Sequence, residues 1–286
     1  METASTPGLN LVGHNELLEM DRWELERRSR ALACGIHLGD GIMLARAMGR
    51  YKMFLTARDV GFTPHLLMDG VWEPWMTPLL AGRIKPGMTV VDAGANHGYF
   101  TVLLADLVGP GGRVAAIEPH PMTAELLRRT VSVNGFAGRT TVFEQAVGTQ
   151  DHQMLTFELR EDDPKNARVV EDHRAEQAGM TRVRSSRLET LLADWPKIDF
   201  IKIDVEGAEE AVLEGAWPRI AKDRPDILLE FNSARCKDPL GLLERLVGVY
   251  RRLRMVTHDA EIVPVDRARL MDRDQPEDWM LWLSRR

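Results

Sequence analysis

A glycine-containing turn is the segment whose residue types best suit ligand binding. It runs from Gly94 to Gly98, between an apolar run that ends at Asp92 and a helical pattern that begins near Tyr99. Glycine allows positive φ angles and close approach of the backbone, and the start of a helix presents N–H groups without intrahelical partners. The turn therefore predicts a nucleotide-like ligand, although a glycine turn alone could also serve packing.

Carboxylates near this turn narrow the choice of ligand. Glu118 ends the next apolar run, where an acidic residue can accept both hydroxyls of an adenosine ribose. Asp92 precedes the turn, and a carboxylate there opposes a diphosphate but suits an ammonium group. The turn also lacks the G-x-G-x-x-G spacing of a dinucleotide site. These features favour S-adenosylmethionine over NAD.

A further acidic segment follows another apolar run. Asp204 ends that run, Lys202 lies within it and Glu206 follows in the turn. The carboxyl ends of parallel strands line the ligand crevice of an open α/β sheet, so all three are candidates for that crevice. Asp204 and Glu230 could hold a divalent cation, or Asp204 could accept N–H bonds from the following helix. Because two carboxylates are too few to define a metal site, we predict no bound metal.

The segments around these residues resemble the signature blocks of the FkbM family of methyltransferases. The blocks are residues 90–101, 117–121 and 199–209, preceded by 70–74, and the resemblance spans roughly residues 70–232. It implies a class I methyltransferase sheet, S-adenosylmethionine as donor, and O-methylation of a hydroxyl, often on a sugar or natural product.

The resemblance also implies roles for individual residues. Gln145 and Ala146 would lie near the adenine, and Glu73 would close over the methionine end. Glu118 would bind the ribose. The remaining cofactor-binding residues are Asp92, Gly94, Asn96, Gly98 and Asp204.

Methylation of an alcohol requires alignment of donor and acceptor and is helped by removal of the hydroxyl proton. Asp204, Lys202 and His97 are the candidate catalytic residues. His97 and His120 could each act as the base, although loop histidines are more often simply solvated. The sequence does not decide which residue takes the proton.

The apolar periodicity predicts an α/β fold with a doubly wound, mostly parallel sheet of about seven strands. Predicted strands are residues 89–92, 113–118, 140–147, 199–204, 226–231 and 251–257. Predicted helices are residues 98–108, 121–134, 187–194, 207–216 and 239–249. The segments 261–264 and 279–283, with no helix between them, are expected to end the chain in a hairpin-like way that adds an antiparallel strand.

Residues 1–69 are predicted to form an extension to a methyltransferase domain at residues 70–286. The extension would contain one amphipathic helix at 14–33 and strands at 42–45 and 51–56. It would serve substrate choice or assembly, for example as a homodimer contact. The charged segment 160–182 is predicted to be a long surface loop that helps to select the acceptor.

The composition places limits on partners and location. The chain has 286 residues and a formal net charge of -6, which disfavours nucleic acid as a partner. Two cysteines and no long apolar segment predict a cytoplasmic protein without membrane insertion, acting on a small-molecule or glycan acceptor. An NAD-dependent oxidoreductase and a catalytically inactive cofactor-binding protein are the alternatives.

Overall fold

An eight-stranded sheet with helices on both faces carries the residues singled out above. The computed structural model describes residues 10–158, 168–170, 180–272 and 277–285. The central elements, in chain order, are α4 (Met76–Arg83), β4 (Thr89–Ala93), α5 (Tyr99–Val108), β5 (Arg113–Ile117), α6 (Pro121–Val133), β6 (Thr140–Phe143), β11 (Phe200–Ile203), α8 (Glu209–Asp223), β12 (Asp226–Phe231) and α9 (Pro239–Tyr250). Short apolar strands that alternate with helices fold in this way because both faces of a parallel sheet are buried.

The order of the strands creates a crevice at the carboxyl end of β4. The sheet runs β14-β13-β15-β12-β11-β4-β5-β6, and β6, β5, β4, β11 and β12 are parallel. Because β5 and β11 lie on opposite sides of β4, the chain changes direction there, at a topological switch point. The expectation of a doubly wound, mostly parallel sheet is confirmed, with eight strands instead of about seven.

The N-terminal residues form a separate layer against the sheet. They comprise α1 (His14–Glu19), α2 (Arg22–Leu32), the antiparallel strands β1 (Gly35–Gly39), β2 (Ile42–Ala47) and β3 (Tyr51–Thr56), and α3 (Thr63–Met68). The prediction of one helix at 14–33 was wrong. Met20 is extended, and Asp21 caps a second helix by accepting a hydrogen bond from the Glu24 N–H at 2.8 Å. Strand β1 was not predicted.

A second sheet departs from the predicted elements. It contains β7 (Ala146–Val147), β8 (Gln153–Glu158), β9 (Arg168–Val170) and β10 (Met180–Ser186) in the order β7-β10-β8-β9. The predicted strand 140–147 is therefore divided between β6 in one sheet and β7 in the other. The predicted loop 160–182 contains β9 and the start of β10; its residues 160–167 and 171–179 lie outside the described residues. The predicted helix 187–194 is the short α7 (Leu188–Leu191).

The C-terminal strands complete the edge of the large sheet. They are β13 (Arg254–Val256), β14 (Ile262–Pro264) and β15 (Trp279–Leu283), with the short helix α10 (Arg267–Leu270) between the last two. The predicted antiparallel strand is β15, which lies between β12 and β13. The expectation of no helix there was wrong, and β14 forms its hairpin with β13. In the described ranges, no helix has the length and apolar character needed to cross a membrane.

Candidate functional site

The glycine turn between β4 and α5 has the conformation that its residue types predict. Gly94, Asn96 and Gly98 have φ angles of 79°, 50° and 96°, in the left-handed region. A Cβ at Gly94 would lie 1.7 Å from the backbone oxygen of Asp204. Glycine is therefore required at this position by the neighbouring strand, in addition to any ligand.

The register of the sheet places carboxylates side by side at its carboxyl edge. The ladders pair Ala93 with Ile117 and Ile203, and Ile203 with Leu229. One residue further along each strand, the row reads Glu118, Gly94, Asp204 and Glu230. Sequence reasoning recovered these residues individually, but their order across the edge depends on the strand order.

Glu118 is anchored by backbone N–H groups at the mouth of the turn. Its Oε2 accepts a hydrogen bond from the Asn96 N–H at 2.9 Å, and its Oε1 accepts one from the His120 N–H, also at 2.9 Å. Burial raises the pKa of Glu118 to about 7, although the two backbone donors act against this shift. Each carboxylate oxygen keeps a further lone pair, so the group can still accept hydrogen bonds from a ligand.

A buried charged cluster lies beneath the turn. Lys202 Nζ is 2.8 Å from Asp204 Oδ2 and 4.0 Å from Asp92 Oδ1, and its side chain is 2% exposed. Thr101 donates its hydroxyl to Asp92 Oδ2 at 2.6 Å. Burial lowers the pKa of Lys202, but Asp204, Asp92 and Glu73 more than offset this effect and raise it overall. Three carboxylates thus surround one ammonium group, which leaves the cluster with surplus negative charge.

An acidic rim, which we define as Glu206, Glu230 and Asp278, borders Asp204 on its outer side. Arg235 contacts all three, at 3.5, 3.2 and 3.2 Å respectively. Burial, followed by the charges of Asp204, Glu206 and Asp278, raises the pKa of Glu230 to about 9. Sequence reasoning missed Arg235 because its loop after β12 has no distinctive motif.

His97 lies in the turn, but its imidazole is fully buried and stacked on the Phe62 ring at 5.7 Å between centroids. Burial lowers the pKa of His97 to about 3. His120 has a different position, at the start of α6, where its Nδ1 accepts a hydrogen bond from the Thr123 N–H at 3.4 Å. Neither histidine is solvated in the way that a loop position suggests.

The remaining residues predicted to bind the cofactor, Glu73, Gln145 and Ala146, lie outside the row of residues at the carboxyl edge of the sheet. Glu73 has a φ of 43° and interacts electrostatically with Lys202. On the β5 and β6 side of the edge, Ala146 is buried in β7 and Gln145 Oε1 accepts a hydrogen bond from the Ser186 hydroxyl at 3.2 Å. The structure therefore brings Glu73, Asp92, Lys202 and Asp204 into one cluster.

The residues at this edge fit S-adenosylmethionine. The buried Asp92 Oδ1 has no hydrogen-bond partner among the described residues. Such an oxygen is costly unless a cation or donor compensates it, and the ammonium and sulfonium groups of this cofactor are cationic. Glu118 supplies acceptors for ribose hydroxyls. A diphosphate would instead face surplus negative charge.

Comparison with known proteins identifies related methyltransferases. A family model described as a methyltransferase FkbM domain matches residues 92–284. A protein-L-isoaspartate O-methyltransferase from Aeropyrum pernix is 47% identical over 97 residues, covering 32% of this chain and 36% of that protein. "Methyltransferase 1" from Beauveria bassiana is 27% identical over 144 residues, covering 44% and 57% respectively. The match covers 36% of the length of the first relative and 57% of the length of the second, so this chain spans less than two thirds of either one.

A crystal structure of an FkbM methyltransferase from Methylobacillus flagellatus KT has a similar fold. Its TM-score is 0.46 at 20% identity, and the match covers 70% of this chain and 44% of that one. The family model alone spans more than half of the chain. The protein therefore belongs to the FkbM family of S-adenosylmethionine-dependent methyltransferases.

Proposed function

We propose that this protein transfers a methyl group from S-adenosylmethionine to a hydroxyl of a sugar, glycan or natural product. The observation that carries the proposal is the surplus negative charge beneath the glycine turn, next to an anchored Glu118. This arrangement suits a cationic adenosine derivative and opposes a dinucleotide. An NAD-dependent oxidoreductase is accordingly the weaker alternative.

The residues of the turn and of the two flanking strands would hold the donor. When bound, S-adenosylmethionine supplies an electrophilic methyl group on a sulfonium centre. Glu118 would accept hydrogen bonds from the ribose, and Asp92 would compensate positive charge at the methionine end. Gln145 and Ala146 would border the adenine, and Glu73 the opposite end.

Asp204 is our proposed base for the acceptor hydroxyl. Its side chain is 23% exposed, whereas Lys202 is 2% exposed and His97 is fully buried. A group that takes a proton must reach it at hydrogen-bond distance. Lys202 holds Asp204 in place through its 2.8 Å contact. His97, with its pKa near 3, would be a weak base and acts by packing against Phe62.

The acidic rim supports a neutral hydroxyl acceptor. Carboxyl groups form hydrogen bonds with sugar hydroxyls whether they are ionised or, like Glu230 with its pKa of about 9, mainly protonated at neutral pH. Asp204 and, beside the cation Arg235, Glu206 and Asp278 are three further acidic groups, so the carboxylate of an isoaspartyl peptide and the phosphates of nucleic acid are less favourable here. The Aeropyrum relative, by its name, methylates L-isoaspartate in proteins. Its similarity makes an isoaspartyl peptide the second acceptor to test, and the rim makes it the less favourable one.

Ligand-dependent thermal unfolding tests the donor. S-adenosylhomocysteine at about 100 times its Kd is expected to stabilise the native state by about 2.7 kcal/mol. NAD at the same concentration is expected to leave the melting temperature unchanged. Stabilisation by NAD without stabilisation by S-adenosylhomocysteine would contradict the proposed donor.

Glu118→Ala tests the proposed ribose contact. We expect it to weaken S-adenosylhomocysteine binding about 10- to 100-fold, in the range of one or two hydrogen bonds to a charged acceptor. Isothermal titration calorimetry at pH 8, where the Glu118 carboxylate is mainly ionised, measures this change. Glu125→Ala, an exposed carboxylate on α6, is the matched control and should bind normally. Unchanged affinity of Glu118→Ala would refute the ribose contact.

The acceptor is tested by release of S-adenosylhomocysteine. A panel of glycosides and polyketide alcohols, with an isoaspartyl peptide in parallel, is incubated with the protein and S-adenosylmethionine. Turnover with a hydroxyl acceptor supports the proposal, and turnover confined to the isoaspartyl peptide favours carboxyl methylation. Asp204→Asn should lower kcat at least 100-fold with an alcohol, because the base is lost.

A further inference from the structure

Lys202 is buried beneath the glycine turn, and its position there suits a role other than proton transfer. Its register partner on the neighbouring strand is Asp92, and its ammonium group also faces Asp204 and lies 5.1 Å from the Phe100 ring centroid. A side chain enclosed in this way contacts carboxylates and an aromatic ring. It does not reach an acceptor.

Asp92 needs such a neighbour to remain charged. It is fully buried, and burial raises its pKa overall, while Lys202 and the Thr101 hydroxyl oppose this rise. The charges of Asp204 and Glu118 lie on the same sheet edge and disfavour another anion there. Among the residues that the structure describes, Lys202 and the Thr101 hydroxyl are the groups that support the Asp92 carboxylate, so removal of Lys202 leaves the Thr101 hydrogen bond.

We propose that Lys202 is a positioning residue that keeps Asp92 ionised, so that the amino-acid end of the cofactor is bound with the same strength across neutral pH. The inference rests on the proposed donor. It deepens that proposal, since Lys202 becomes a determinant of cofactor affinity and not a catalytic base. A buried charge such as that of Asp92 would act strongly on a cationic group bound near it, because the protein interior has a low dielectric constant.

Two ligands separate the amino-acid end from the nucleoside end. S-adenosylhomocysteine has both, and 5′-methylthioadenosine lacks the amino-acid part. Titration of Glu118, which faces the nucleoside, affects both ligands, so it cancels in the ratio of their dissociation constants. This ratio, measured by calorimetry between pH 6.0 and 8.5, reports the amino-acid end.

In the wild type, we expect the ratio of the 5′-methylthioadenosine Kd to the S-adenosylhomocysteine Kd to be constant with pH. In Lys202→Gln, the ratio should fall by up to tenfold per pH unit on acidification, because Asp92 takes up a proton. Lys202→Arg should restore a constant ratio. Lys197→Gln, which removes an exposed lysine that pairs with Asp199 at 2.7 Å, is the matched control and should behave as the wild type.

Lys202→Gln alone leaves Asp204 without its ion-pair partner and could prevent folding. The double variant Lys202→Gln/Asp204→Asn removes both charges of this ion pair, so it is less disruptive to the fold. Its ratio should fall on acidification in the same direction as in Lys202→Gln but at lower pH, because the Asp204 charge that disfavours the Asp92 carboxylate is also removed. If the ratio of dissociation constants shows the same dependence on pH in both variants as in the wild type, the inference is overturned and the proposed donor stays intact. Failure of the wild type to bind S-adenosylhomocysteine at any pH would overturn both.

Discussion

Three residues of the candidate site that are not glycine have left-handed backbone conformations. Glu73, Asn96 and Glu206 have φ angles of 43°, 50° and 53°, although none of them is glycine. Such conformations cost energy for residues with a Cβ and persist where surrounding contacts hold them. Asn96 is held by its N–H bond to Glu118, and Glu206 is held by its ion pair with Arg235. Asn96 thus directs its backbone N–H to Glu118, which we assign to ligand binding, and Glu206 directs its side chain to Arg235 beside the acidic rim.

Gly94→Ala tests how tightly the turn packs against the neighbouring strand. The added Cβ would overlap the Asp204 backbone oxygen and would occupy a φ of 79°. We expect a loss of more than about 3 kcal/mol in the free energy of unfolding, measured by urea denaturation, because both overlap and backbone strain oppose the native state.

Gly82→Ala is the control for this change. Gly82 lies in α4, and a Cβ there meets no atom of the described residues within 4 Å. Alanine should stabilise that helix by about 0.5–1 kcal/mol. A similar stability for Gly94→Ala and the wild type would show that the turn and β11 can separate without cost.

His97 should make the native state sensitive to acid. Its pKa is about 3 in the folded protein against an ordinary value of 6.5, so below pH 6.5 the unfolded state takes up a proton that the folded state does not. The stability contribution of neutral His97 is complete above pH 6.5 and declines as the pH falls toward 3. Each pH unit in this window corresponds to about 1.4 kcal/mol.

Comparison with His97→Leu isolates this contribution. Glu118 acts in the opposite direction, since its raised pKa makes stability fall as the pH rises from 4.5 to about 7. This second effect is present in both proteins and cancels in their difference. Urea denaturation at pH 4.5, 5.5 and 6.5 should show a steeper acid loss for the wild type than for His97→Leu. Parallel curves would mean that the imidazole has access to water.

At the scale of elements, the central α/β alternation could be predicted because buried parallel strands have continuous apolar sequences. The elements at the edges of the fold could not be predicted in this way. Strand β1 contains two glycines and is mostly exposed, so no burial pattern marks it. The division of 140–147 at Glu144 and Gln145 depends on pairing of β7 with β10, which is distant in sequence. Arg235 likewise becomes significant only when β12 and the residue before β15 are brought together.

One buried carboxylate connects the N-terminal layer to α5. Asp106 Oδ2 accepts hydrogen bonds from the Tyr51 hydroxyl at 2.7 Å and from Arg50 Nε at 3.0 Å, and it lies 3.2 Å from His14 Nδ1. Its side chain is 13% exposed. Burial raises the pKa of Asp106, but these partners together lower it overall, which is consistent with a carboxylate that stabilises its surroundings.

Asp106→Asn should weaken this connection. We expect a loss of about 2–4 kcal/mol in the free energy of unfolding at pH 7, because Arg50 loses its anionic partner in a partly buried setting. Glu24→Gln, which removes an exposed carboxylate paired with Arg27, should change stability little. Equal effects of the two substitutions in urea denaturation would show that the N-terminal layer does not depend on Asp106.

At the scale of the whole molecule, the N-terminal layer and the sheet share one hydrophobic core. Its members from the extension include Val12, Leu25 and Met53, and those from the sheet include Phe200 and Trp282. The sequence motifs suggested a boundary at residue 69, since the resemblance to the family begins there. The packing crosses this boundary, so we propose that the extension folds together with the sheet.

A fragment of residues 70–286 tests this view. This fragment lacks the extension. The apolar face of α4, α5 and the adjoining sheet, which the extension covers in the full chain, would therefore be exposed. A contiguous apolar surface that is exposed to water favours aggregation and lowers the free energy of unfolding. We expect the fragment to be insoluble or to bind the hydrophobic dye ANS, whereas the full chain should unfold in a single transition by calorimetry. A soluble fragment that binds S-adenosylhomocysteine with full affinity would establish residues 70–286 as an independent domain. The extension would then be free to serve acceptor selection alone.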